Sequence, residues 1–284
     1  QDSTGYVPIV WYGDRGVVMC GDHNSAWGTR MDYITISSTG NSTDFGDQSC
    51  KNFGAGGASN GTRGISFGGY CYGGTGGYQN AIKYITFASL GNVTDAGDLP
   101  YAKEAIVGIS DGTYGYACGY ADYANNISWV NISTTNNATD FGDLSVGRHL
   151  GSSVGNTSRG IICGGLSSGS VVQDTMDYIT MASAGNATDF GNLLNGRTFG
   201  SICQCGDATR GLIMSGAPVT HTSPTDVIEY VTIATTGNAT DFGNLTVARR
   251  GGGTTNNSTR AVCMGGVDSS GRVNTIDYVT IQTT

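Results

Sequence analysis

Apolar residues come in short bursts along this chain, each closed off by Gly or Asn-Gly turn signals. Two kinds of burst alternate. One is continuous, as in Gly160-Ile-Ile-Cys-Gly-Gly; the other alternates with polar residues, as in Ile228-Glu-Tyr-Val-Thr-Ile. Both are too short for helices and rich in β-branched and aromatic residues, so both predict strands. The continuous kind predicts a strand covered on both faces.

The bursts recur in a fixed order. The stretch Ile228 to Arg249, I-E-Y-V-T-I-A-T-T-G-N-A-T-D-F-G-N-L-T-V-A-R, returns as Met176 to Arg197. It returns more loosely as Ile127 to Arg148, Ile82 to Lys103 and Met31 to Lys51, and it begins again at Ile276. The aromatics Tyr33, Tyr84, Trp129, Tyr178, Tyr230 and Tyr278 mark six copies, 51, 45, 49, 52 and 48 residues apart. Ahead of most of them lies an arginine, an apolar run and glycine, opened by Arg15, Arg63, Arg159, Arg210 and Arg260; the third copy has Tyr114 instead. A period near fifty predicts a repeat architecture in which each unit buries its faces against its neighbours. Four strands per unit are expected: a (Thr198 to Gln204 in the fifth unit), b (Gly211 to Ser215), c (Val227 to Ile233) and d (Thr240 to Val247). The fold class is therefore all-β, a six-bladed β-propeller in one domain over residues 1–284. The blades are expected near 9–49, 50–100, 101–147, 148–196, 197–247 and 248–284.

A run ending in Gly-Gly, then an apolar-Asp-Tyr segment, a turn, a short strand and an Arg resembles the kelch repeat, whose units are four-stranded blades. The tryptophan usual in the kelch fourth strand is replaced by Phe45, Phe141, Phe190 and Phe242, and by Ala96. The repeat T-G-N-A-T-D-F-G-[DN]-L is also similar to tandem repeats of phage virion and tail-appendage structural proteins, which implies a structural role.

Composition narrows the function. The net charge of -8 and the scattered 14 Lys and Arg leave no basic patch, which argues against nucleic acid as a partner. No apolar run has the roughly 18 to 20 residues of a membrane-spanning helix. The chain opens at Gln1 without an initiator methionine and reads as a processed, exported chain, placed outside the cell or on a virion surface. Of twelve N-x-[ST] sequons, five (Asn41, Asn92, Asn137, Asn186, Asn238) share the c–d turn. They are either turn residues that tolerate positive φ or a ring of glycans, one per blade. Eight cysteines permit disulfides in such a chain. Cys20, Cys118 and Cys163 share a b-strand column with Phe67, Ser215 and Met264 and are expected as buried thiols. Cys203 and Cys205 fall on one side of a strand, and Cys50 and Cys71 have no evident place.

A search for chemistry returns little. Asp-Phe-Gly at Asp140, Asp189 and Asp241 spells a kinase motif without a nucleotide loop or catalytic loop to serve it. Kelch propellers include copper radical oxidases, but His23, His149 and His221 occupy unrelated repeat positions, and no pair of CxxC motifs offers a zinc site. Neither a cofactor nor a metal nor an enzymatic activity is expected. The aspartates Asp44, Asp95, Asp140, Asp189 and Asp241 recur once per blade, as do the five arginines, and the two columns are expected to pair and join b to d. Specificity is expected where the copies differ, in b–c loops at 21–30, 70–81, 119–126, 166–174, 217–227 and 267–274. These carry Trp27, Tyr70, Tyr72, Tyr78, Tyr120 and Tyr123, suited to sugar rings or a protein partner. The expected function is a non-enzymatic structural subunit that assembles with copies of itself, the alternative being a glycan-binding adhesin. The sixth unit ends after its c strand, and residues 3–10 are the candidate strand to complete it, in cis or across to another subunit.

Overall fold

A computed structural model describes residues 9–23, 26–72, 76–199, 205–218 and 223–283. Among them no helix forms, and the strands make six antiparallel sheets. The first sheet runs a (Ile9–Tyr12), b (Arg15–His23), c (Ala26–Thr35), d (Thr43–Asp47), in that spatial order. The second repeats it with Gly56–Ser59, Arg63–Tyr72, Gly77–Thr86 and Thr94–Asp98, the third with Val107–Ser110, Tyr114–Tyr120, Ala124–Asn131 and Thr139–Asp143. The fourth has Ser152–Gly155, Arg159–Ser167, Val171–Thr180 and Thr188–Asn192. In the second and fourth, Lys51–Phe53 and Arg148–His149 extend the a position. The fifth has Arg210–Ile213, Thr225–Thr232 and Thr240–Arg249, and the sixth Gly253–Asn256, Arg260–Met264 and Ile276–Thr280.

The a strands face one another around an axis, the first sheet touching both the second and the sixth, so the ring closes on itself. This is a β-propeller. Its a–b and c–d turns open on one face, since each c–d turn hydrogen-bonds back to the a–b turn beside it, as Ile36 N does to Asp14 O at 2.8 Å. The b–c hairpins and d–a connections open on the other. Apolar side chains from facing sheets fill the spaces between blades, as where Val154, Ile161 and Cys163 of the fourth meet Ile213, Val231 and Ile233 of the fifth.

Four expectations are corrected. In four blades the b–c register shifts near the end of the b strand, where two steps on b (Met19 to Gly21, Phe67 to Gly69, Cys118 to Tyr120, Cys163 to Gly165) face three on c, so the extra residue lies on the c strand. The buried column is corrected in the first and fifth blades, where Cys20 and Ser215 stand in place of the glycine that follows it elsewhere (Gly68, Gly119, Gly164, Gly265): its members opposite the c strand are Met19, Phe67, Cys118, Cys163 and Met264, and Cys20 lies one residue beyond. In the fifth blade Ile213 pairs with Glu229, which puts Met214 in the column in place of Ser215. Second, Ile9 and Val10 pair with Val18 and Val17 as part of the first a strand, so residues 3–10 do not complete the sixth blade as a unit; residues 1–8 lie outside the described set. Third, b and c run on as hairpins through the expected loops: Trp27, Tyr70, Tyr72 and Tyr78 are strand positions. Fourth, Cys50 and Cys71 have a place. They form a disulfide with Cα atoms 5.8 Å apart, tying the d–a connection of the second blade to its b strand. Most of the expected fifth a strand, residues 200–204 with Cys203, lies outside the described residues, as does His221.

Candidate functional site

The structure sorts the six candidate aromatics. Tyr70 and Tyr78 face each other across the second b–c hairpin, and Tyr72 lies two residues along the same strand face. With Phe53 of the short strand Lys51–Phe53 they form one cluster, ring centres 5.2–5.5 Å apart, on the strand that carries Cys71 of the disulfide. Tyr72 is 45% and Tyr78 51% exposed while Phe53 and Tyr70 are partly buried, so the cluster is a ledge with two rings half in solvent. Tyr120 does not belong to it: the ring is buried, its hydroxyl is 2.9 Å from Ser128 Oγ, and burial pushes its pKa up to about 12. Tyr123 packs on His149 with ring centres 5.0 Å apart, and the backbone of Trp27 pairs with Asp22 in the first hairpin. Sequence reasoning missed Phe53, which lies on the short strand Lys51–Phe53, and Tyr101, which is 51% exposed beside Tyr120.

On the opposite face the a–b turns ring a cavity of about 820 Å³ at the channel mouth. Each of five turns carries an Asn or Asp that is already spent. Asn60, Asp111, Asn156, Asp207 and Asn257 each accept backbone N–H groups two and three residues ahead, at 2.6–3.0 Å. These side-chain oxygens therefore hold the turns. Among the described residues no three His, Cys, Asp or Glu side chains gather where a metal ion could bind.

The residues that recur most regularly meet at the junctions between blades. The arginine column does not pair with the aspartate column. Each guanidinium lies 4.0–4.7 Å from the ring centre of its own blade's Tyr and donates to a carbonyl of the next blade. Arg15 reaches Phe87 O, Arg63 Ser133 O, Arg159 Ile233 O and Arg210 Ile281 O, while Arg260 reaches Ile36 O and joins the sixth blade to the first, all at 2.5–3.1 Å. In the third blade Tyr114 stacks on Trp129, and Tyr116 Oη accepts Ala182 N at 2.9 Å as the tie to the fourth. Asp44, Asp95, Asp140, Asp189 and Asp241 are exposed because they precede an inward Phe or Ala on a strand whose side chains alternate. Asp44 and Asp95 accept the N–H of the glycine two residues on, at 3.0 and 3.3 Å.

The turn asparagines act across junctions as well. Asn92, Asn137, Asn186 and Asn238 accept the N–H of the last d-strand residue of the preceding blade, namely Asp47, Asp98, Asp143 and Asn192, at 2.9–3.1 Å. Deeper in, three buried ion pairs that sequence reasoning missed link a connection to the following blade's c strand. They are Arg148 to Asp177 at 3.1 Å, Arg197 to Glu229, and Arg249 to Asp277 at 2.8 Å. A signal for them exists in the repeats. Where the connection carries Arg the next c strand carries an acid, and where it carries Asn52 or Lys103 the next c strand carries Lys83 or Ser128.

Comparison with known proteins settles the fold and nothing narrower. No protein-family profile and no curated protein matches the sequence. Among solved structures, that of YjhT is similar, with a TM-score of 0.80 over 99% of this chain and 95% of that one at 12% sequence identity. An identity that low shares architecture, here the propeller, and says nothing of activity. No helix among the described residues is long and apolar enough to cross a membrane.

Proposed function

We propose that this chain is a non-enzymatic structural subunit of an extracellular filament, or of a virion or its tail appendage, that self-assembles through its propeller faces or edge strands. The observation that carries the reading is the outer edge of the sixth blade. Elsewhere the recurrent arginines and turn asparagines join blade to blade, and at that edge Arg260 and Asn41 border a strand with no outer neighbour among the described residues. An open strand row is a template for pairing with another chain. The Cys50–Cys71 disulfide supports an oxidising, extracellular location. Glycans on the exposed turn asparagines belong to the same reading and would add mass to the intact protein.

A second reading, glycan binding by an adhesin, is favoured by the ledge of Phe53, Tyr70, Tyr72 and Tyr78, whose half-exposed rings suit the flat faces of sugars. Negative-stain microscopy of protein at high concentration separates the two. The structural reading expects polymers; lone discs, together with binding on a glycan array that Tyr72→Ala abolishes, would replace it with the second.

A further inference from the structure

The closed junctions specify what the open one lacks. In each, the c–d turn of one blade lies on the d strand of the blade before it. At the first, Gly91 N reaches Phe45 O at 2.8 Å, Val93 N reaches Asp47 O at 3.0 Å, and Asn92 takes Asp47 N. The glycine of each d strand sits under that turn with φ between +136° and +150°. A Cβ on Gly46, Gly97, Gly142 or Gly191 would stand 2.2–2.5 Å from a backbone oxygen of the turn. The Phe before it meets the c-strand Tyr edge-on, ring centres 6.2 Å apart in three blades.

At the seam the same parts are present on both sides, and among the described residues nothing lies between them. Gly243 of the fifth d strand, with φ +141°, has nothing within 4 Å of its Cβ position. The c strand Ile276–Thr280 pairs with its b strand alone among the described residues. Its Ile276 is 38% and Tyr278 49% exposed, whereas Met176, the counterpart of Ile276, is fully buried. Beside it a groove of about 230 Å³ runs between Ile276 and Tyr278 on one side and Gly40, Asn41 and Thr43 of the first c–d turn on the other. Arg260 holds the Tyr278 ring from beneath, 4.0 Å from its centre.

We propose that this groove is a binding site for one β-strand of a partner polypeptide carrying the repeat's own motif, Gly-Asn-x-Thr-Asp-Phe-Gly-[Asp/Asn], antiparallel to Ile276–Thr280. Each position has its receptor. The motif's Asn takes the N–H of Asn244, as Asn238 takes that of Asn192. Its Phe covers the exposed edge of Tyr278. Its second Gly passes beneath Gly40 and Asn41, and the residue after that donates to the Asn41 amide oxygen. Residues 1–8 do not spell the motif. This names the partner of the assembly surface proposed above and rests on that reading for its biological use; the site itself stands on the geometry.

The probe is the synthetic peptide Gly-Asn-Ala-Thr-Asp-Phe-Gly-Asn-Leu, the sequence of residues 237–245, titrated into the 284-residue protein by calorimetry. The expected result is saturable binding of one peptide per chain with a rise in melting temperature. A peptide with Ala for Phe should bind about tenfold or more weakly, the cost of leaving one benzyl group unburied. The protein variant Asn41→Ala, at an exposed turn where folding is not at stake, should bind the first peptide several-fold more weakly. Absence of saturable binding, or equal binding of both peptides, overturns the proposal. Tight peptide binding by a protein that stays as lone discs in the microscope leaves the site standing and sinks the structural-subunit reading. Polymers formed by a protein that ignores the peptide do the reverse.

Discussion

The junction between the fourth and fifth blades and the seam around the sixth are built from the same repeat and differ in completeness. In the first, Phe190 is buried, Gly191 lies under Gly237, Asn238 takes Asn192 N, and Arg197 and Glu229 form a buried pair. At the seam Phe242 is only partly buried, Gly243 has open space, and Tyr278 is half in water. The Arg260 tie to Ile36 and the contact between the inner strands of the sixth and first blades persist there. Closure of the ring is thus carried by inner strands and arginines, while the outer strands and turns form a separate layer that, among the described residues, is incomplete in one place.

The largest effect should come from the ion pairs of the inner layer. Removing one partner leaves a charge stranded in the interior, at a cost of about 3–5 kcal/mol. Arg148→Ala and Asp177→Ala should each lose that much in a denaturant titration, and losses under 1 kcal/mol would show that the pair is not buried in solution. Next come two matched glycines. Gly191→Ala and Gly243→Ala carry the same backbone strain, φ being +141° at both, but only at Gly191 would the new Cβ meet the carbonyl of Gly237, at 2.4 Å. The first should exceed the second by about 1–3 kcal/mol. Equal losses would mean that Gly243 is covered.

Smaller effects refine the outer layer. Asn186→Ala forfeits one inter-blade hydrogen bond, worth about 1 kcal/mol. Asn41→Ala, which faces the open groove, should stay within about 0.5 kcal/mol of the unmodified protein. Burial pushes the thiols of Cys118 and Cys163 up to about 12, against an unfolded value of about 8.5. Because the folded value is the raised one, their contribution is fully present below about pH 8.5 and is lost as pH climbs towards 12. Labelling at pH 8 should find both far slower than a free thiol, and reaction at the free rate would remove the strand assignment.

Much of this was legible in the sequence because the repeat fixes strand order, and strand order fixes the propeller. What was not legible lies across blades. Arg159 and Asp189 recur in step along the chain, which invites pairing them, yet Arg159 reaches Ile233 in the next blade and Asp189 faces water. A period read along one chain aligns equivalent positions and does not say which of them touch a neighbour. Met19 and Met214 were missed because Cys20 and Ser215 replace the glycine that follows the column in the other blades, so counting back from the next glycine lands one residue late. Tyr120 and Tyr72 look alike as loop tyrosines, but Tyr120 ends a strand whose next side chain partner is Ser128, and Tyr72 rides on a hairpin that projects beyond the sheet.

Amide hydrogen exchange tests the two-layer account most directly. In the 284-residue protein alone, the amides of 276–280 that point away from the b strand should exchange at least about a hundredfold faster than their counterparts in 176–180, while amides in the a strands of the sixth and first blades stay protected together. Equal protection of 276–280 and 176–180 would show that the outer edge of the sixth blade is already paired, and the central claim would fall.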